Sequence, residues 1–136
     1  MSNQSTRPAG EGRRTVLVVD DFEDTRRVLR LWLERMGYAV KEAADGLEAV
    51  EAARTLAPDL IILDIEMPGL DGLESARRIR QHEGLEEVPI IAVSAYGAEQ
   101  YRDRALAAGC TEYVSTPFDP KELKSLINSY VPPASA

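Results

Sequence analysis

Leu60-Ile61-Ile62-Leu63-Asp64-Ile65-Glu66-Met67-Pro68-Gly69-Leu70-Asp71-Gly72 is the stretch on which the reading of this chain turns. Four large apolar residues in succession are too few to span a membrane, and without alternation they suit a strand covered on both faces. The strand ends on a carboxylate, Asp64, and Met67-Pro68-Gly69 then breaks it into a loop. An acid in that place stands at the mouth of a sheet, half desolvated on a rigid support. Alone it would read as a solvated strand end or a cap, so its neighbours have to decide.

Upstream, Val16-Leu17-Val18-Val19 is a second buried-type strand, and it too ends on acids, Asp20 and Asp21. From Asp24 to Met36 the apolar positions Val28, Leu29, Trp32, Leu33 and Met36 recur at helical spacing, with Arg26, Arg27, Arg30, Glu34 and Arg35 opposite, until Gly37 stops the helix. Tyr38 to Ala43 reads as an edge strand. Asp45-Gly46-Leu47-Glu48 sets a cap with Glu three residues on and opens a helix through Ala57, which Pro58 ends. Downstream, Asp71-Gly72-Leu73-Glu74 repeats that pattern and opens a helix to about Glu83. Ile90-Ile91-Ala92-Val93 is a buried strand ending on Ser94, and a helix over 98–108 follows. Glu112-Tyr113-Val114 is a short strand running into Ser115-Thr116-Pro117. Asp119 caps a last helix with Pro120 at its first position, and Leu123, Leu126, Ile127 and Tyr130 form its apolar stripe.

Strand and helix thus alternate five times, with strands too apolar for a half-exposed sheet. That predicts a doubly wound α/β fold, a five-stranded parallel sheet with helices on both faces. Residues 1–14 are expected as a flexible N-terminal tail, 15–131 as one domain and 132–136 as a C-terminal tail. At 136 residues there is room for one core and not two. A net charge of -7 argues against a nucleic-acid or anionic-membrane surface, and there is no apolar run of signal or spanning length. The single cysteine, Cys110, suits a reducing compartment and reads as a buried filler. A cytoplasmic protein without membrane insertion is the expectation.

In sheets of this kind the functional crevice lies beyond the carboxyl ends of the strands. The residues there are Asp20 and Asp21, Asp64, Ser94, and the Ser115-Thr116 pair. Three carboxylates in one crevice repel one another, so without a cation one of them takes up a proton. A hard divalent cation resolves the conflict, and Mg²⁺ suits it because it accepts a few carboxylates while keeping waters and a phosphate oxygen. The matching chemistry is phosphoryl transfer to a carboxylate. Asp64 is the candidate nucleophile, Asp20 and Asp21 are candidate metal ligands, and Ser94 is a candidate donor to a phosphoryl oxygen.

Val18-Val19-Asp20-Asp21, the Leu63-to-Gly72 run, Ser94-Ala95, Ala108-Gly109 and Tyr113-to-Phe118 together resemble the receiver domains of bacterial response regulators, notably the stand-alone chemotaxis regulators. The resemblance spans residues 15 to about 130. It implies a flavodoxin-like sheet of order 2-1-3-4-5 and phosphotransfer onto Asp64 from a sensor histidine kinase or phosphotransfer protein. It also implies Mg²⁺ held by Asp20, Asp21, Asp64 and the backbone carbonyl of Glu66. Ser94 and Tyr113 would form the switch, though core packing explains Tyr113 equally well. Output would be a contact with a downstream protein target, on a face carrying Tyr96, Tyr101, Tyr113 and Lys124.

One position departs from the family pattern. Thr116 stands before Pro117 where the family has a lysine whose ammonium pairs with the phosphorylated aspartate. A hydrogen bond to a charged group is worth about 1.5–3 kcal/mol, so its loss lowers phosphoryl stabilisation roughly 10- to 100-fold. The family's Lys-Pro bond is usually cis, whereas an X-Pro pair alone predicts trans, so the isomer of Thr116–Pro117 stays open. Two alternatives stay open. A degenerate receiver would serve as a binding scaffold independent of phosphorylation. The other is a phosphohydrolase or flavin protein on a similar fold. Glu66 sits where the hydrolase's acid would, but the Met67-Pro68-Gly69 loop belongs to receivers. The lack of a glycine-rich loop after the first strand counts against a flavin.

Overall fold

In a computed structural model of the chain, residues 14–67, 71–94 and 99–132 are described. Tyr96, the Pro68-Gly69 break, Ala95 and the two tails apart from Arg14 and Pro132 lie outside the described residues. Ten elements alternate: β1 Thr15–Val19, α1 Glu23–Arg35, β2 Ala39–Ala43, α2 Gly46–Leu56, β3 Leu60–Asp64, α3 Gly72–Arg80, β4 Ile90–Ser94, α4 Glu99–Ala107, β5 Glu112–Ser115 and α5 Pro120–Tyr130. All strand pairs are parallel and the sheet order is β2-β1-β3-β4-β5, as the resemblance implies.

The inner strands β1, β3 and β4 are apolar on both sides because both sides are covered, whereas the edge strands β2 and β5 carry Lys41, Glu42 and Glu112. Leu17, Val19, Ile61 and Leu63 pack with residues of α2, α3 and α4. Val16, Val18, Leu60 and Ile62 pack with α1 and α5. Register then positions the site. Val19 pairs with Leu63, so the next residues, Asp20 and Asp64, emerge side by side, and Asp64 pairs with Val93 next to Ser94.

Three of the helix starts follow the local chemistry read from the sequence. Asp45 accepts from the Glu48 N–H at 2.8 Å, Asp71 from the Glu74 N–H at 2.8 Å and Asp119 from the Lys121 N–H at 2.9 Å. Glu48 reaches back past the cap to accept from the Ala44 N–H, one residue short of a full capping box, whereas Glu74 pairs with Arg77 and Arg78. The α1 stripe is narrower than expected. Leu29 and Leu33 are buried, but Val28 is 65% exposed, because α1 crosses the sheet with that edge beside the crevice. Tyr130 likewise lies largely outside the core and its hydroxyl meets Glu112.

Tyr38, fully buried, donates its hydroxyl proton toward the Val131 carbonyl beside Asn128, tying the turn before β2 to the end of α5. Tyr38→Phe leaves that buried carbonyl without its donor, and a loss of about 1–3 kcal/mol is expected from urea unfolding midpoints.

Candidate functional site

At the ends of β1 and β3, Asp20, Asp21 and Asp64 each offer an oxygen, and these oxygens all lie within 4.8 Å of one another. Two are steered by their own loops. Asp20 Oδ1 accepts from the Phe22 N–H and Asp64 Oδ1 from the Glu66 N–H, each at 2.8 Å, which sets the plane of each carboxylate. A brace from the edge strand fixes the first loop. The Arg26 guanidinium donates to the Asp20 carbonyl at 2.8 Å and pairs with Glu42 at 2.8 Å, and Glu42 also takes Arg30 at 2.7 Å. Those two arginines hold the Glu42 carboxyl below its usual range.

The electrostatics follow from burial. Asp64 is pushed from 3.8 up to about 7, first by desolvation and then by repulsion from Asp20, Asp21 and Glu66, against the opposing Glu66 N–H. Asp20 is also raised, by burial and by Asp21, while the Phe22 N–H and Arg26 pull it down. The proton uptake expected of three crowded acids therefore falls on Asp64.

Ser94, 1% exposed at the end of β4, donates its hydroxyl to the Glu66 carboxylate. Its carbonyl accepts the Thr116 N–H at 2.8 Å and, more weakly, the Thr116 hydroxyl at 3.3 Å. The Thr116–Pro117 peptide bond is cis. Tyr113 lies inward at 7% exposure, in the core, with the Arg102 guanidinium 5.6 Å from its ring centre. Lys121 is exposed in the first turn of α5 and does not line the crevice. Cys110 is buried at the other end of the sheet, its thiol raised to about 11 by desolvation, as befits a filler.

The crevice measures about 520 Å³, room for a metal ion, its waters and a phosphoryl group. Among the described residues lining it, Asp20, Asp21, Asp24, Asp64 and Glu66 carry carboxylates and none carries a positive side chain. Asp24 was readable only as part of the first helical turn. Its place in the crevice, with Thr25 and the apolar rim of Phe22, Val28 and Phe118, depends on how α1 leaves the sheet. A donor set of three converging carboxylates, one of them retaining a proton near neutral pH, fits a hard divalent cation bound through oxygen.

Residues 16–128 match the response regulator receiver domain. The chain belongs to that family. The transcriptional regulatory protein ResD of Bacillus subtilis is 44% identical over 108 residues, which are 79% of this receiver but 44% of ResD, so the chain spans less than half that relative's length. The polar-differentiation response regulator DivK of Brucella ovis is 34% identical over 118 residues, 87% of this chain and 96% of DivK. Among solved structures, the receiver domain of the sensor histidine kinase PA1611 from Pseudomonas aeruginosa, with magnesium coordinated in its active site cleft, is similar at a TM-score of 0.80. It is 32% identical, and the match covers 90% of this chain and 98% of that one. No described helix of this receiver is long and apolar enough to cross a membrane.

Proposed function

We propose that this receiver accepts a phosphoryl group on Asp64 from a histidine kinase or phosphotransfer protein and signals through a protein contact. The observation that carries the reading is the convergence of Asp20, Asp21 and Asp64 within 4.8 Å, with Asp64 on the central strand. Asp20, Asp21, Asp64 and the backbone carbonyl of Glu66 would hold Mg²⁺. The ion supplies neutralising charge for the transferring group. A carboxylate oxygen of Asp64 attacks phosphorus, the bond from phosphorus to the donor's histidine nitrogen breaks, and its electron pair stays on that nitrogen. The rigid β3 end holds the attacking carboxylate, and the Ser94 hydroxyl donates to a phosphoryl oxygen in the product. Tyr113 is the second element of the switch, and the face around Tyr101, Tyr113 and Lys124 is the output surface.

A second reading, a binding scaffold that does not switch, draws support from Thr116. Its hydroxyl is directed to the Ser94 carbonyl, and no cationic side chain among the described residues lines the crevice. Intact mass after incubation with Mg²⁺ and a small acyl phosphate separates the two. A single phosphate adduct on the wild type, absent from Asp64→Asn, is expected, and Thr116→Lys should raise its level or lifetime roughly 10- to 100-fold. An adduct that appears only on Thr116→Lys would establish the scaffold.

A further inference from the structure

The hydroxyl of Ser94 already has an acceptor, and it is an acid. We infer that the Glu66 carboxylate is a latch: it holds the Ser94 hydroxyl in the unphosphorylated protein and so opposes the switch that a phosphoryl group on Asp64 would drive. This rests on the phosphoacceptor reading of Asp64 and adds a positioning role for the Glu66 side chain beside the metal-ligand role proposed for its backbone carbonyl.

Three features of the structure carry it. The main chain of Ser94 is fixed, paired with Ser115 in the β4–β5 ladder and held at its carbonyl by Thr116 at 2.8 Å, so the adjustable part is the side-chain rotamer. Glu66 belongs to the loop that bears the acceptor, its N–H on Asp64 Oδ1 at 2.8 Å, while its carboxylate takes the Ser94 hydroxyl from across the crevice. A serine hydroxyl has one proton, so donating to a phosphoryl oxygen and donating to Glu66 exclude each other. Glu66 is itself exposed, so its carboxylate returns to water when the hydroxyl leaves. The two Ser94 arrangements are the two states, and Glu66 biases them through a charge-assisted bond that exists in only one.

The latch and plain charge repulsion give different double-mutant cycles. Glu66→Ala removes the bond and also a negative charge near Asp64. In a Ser94→Ala background only the charge effect remains. The probe is beryllofluoride, a non-hydrolysing phosphoryl mimic, titrated at saturating Mg²⁺ and read by the fluorine resonance of the bound complex. Glu66→Ala should tighten binding about tenfold when Ser94 is present and less than about twofold when it is alanine. Glu66→Gln, which keeps an acceptor oxygen, should shift it less than Glu66→Ala. Equal tightening in both backgrounds, or none in either, overturns the latch. Absence of both mimic binding and an Asp64 adduct on the wild type is a different result, in which the phosphoacceptor reading fails and the latch falls with it.

Discussion

Gly72→Ala should unfold this receiver at markedly lower urea, by about 3 kcal/mol or more. A Cβ built at Gly72 meets Ile65 Cα at 2.4 Å and the Asp64 carbonyl oxygen at 2.5 Å. Both are backbone atoms at the end of β3, so no side chain can swing aside to make room. Either α3, which begins at Gly72, lifts off the sheet, or the Asp64–Ile65 segment shifts with the carboxylate it carries. Metal affinity should therefore fall together with stability. Gly84→Ala is the informative comparison. Gly84 has φ +91 but nothing within 4 Å of a new Cβ, so its substitution meets only the left-handed backbone penalty, about 1–2 kcal/mol, and leaves the metal site untouched. If the two alanines cost the same, the close approach at Gly72 is not what holds α3 to β3.

The second large effect is a stabilisation. In metal-free protein Asp64→Asn should raise stability at pH 8 by about 2 kcal/mol. Asp64 rises from 3.8 to about 7 on folding, roughly 4 kcal/mol at 1.36 kcal/mol per unit, and solvent entering the open crevice screens about half of it. Because the folded value is the higher one, the wild type has this stability in full below pH 4 and loses it as pH rises through 7. The gap between the Asp64→Asn variant and wild type should accordingly open from about pH 4 and level off above pH 7. Mg²⁺, bound to the folded wild type as proposed, should reverse the order: at a hundred times its dissociation constant it adds about 2.7 kcal/mol there and much less to the variant. Binding should release protons near neutral pH, so its calorimetric heat depends on the buffer's ionisation enthalpy and its affinity weakens below about pH 7. Melts at pH 4, 5, 7 and 8 with and without Mg²⁺ check the stabilities, and binding calorimetry in two buffers of different ionisation enthalpy checks the proton release. A wild type at least as stable as the variant at pH 8 without metal would refute it.

Much of this architecture was legible along the chain. Runs such as Leu60 to Leu63 and Val16 to Val19 suit strands buried on two faces, and their alternation with helices points to a parallel sheet covered on both sides. The side-chain bonds of Asp45, Asp71 and Asp119 to nearby N–H groups span three residues or fewer, so local sequence names both partners. The acids that close two of those strands belong to the same crevice for a reason the fold class supplies, since parallel strands end on the same side. The Thr116–Pro117 bond is cis, an isomer that the family resemblance left open and that an X-Pro pair alone disfavours.

Other features needed the folded molecule. Periodicity reports that a residue faces inward on its own helix, but not where that helix passes a crevice, hence the exposed Val28 and the crevice-lining Asp24. Gly72 read as the first residue after a cap, and only the packing of α3 on β3 shows that no side chain fits there. The bond from Ser94 to Glu66 joins residues 28 apart, and the brace from Arg26 to Glu42 joins residues 16 apart. What the sequence determined by itself is the set of elements and the acids at their ends, because both follow from short-range patterns. Which groups meet, and so the proton on Asp64 and the acceptor of the Ser94 hydroxyl, was decided by the tertiary structure. Contact distance and desolvation depend on strand register and loop path, and neither is written in the spacing of residues along the chain.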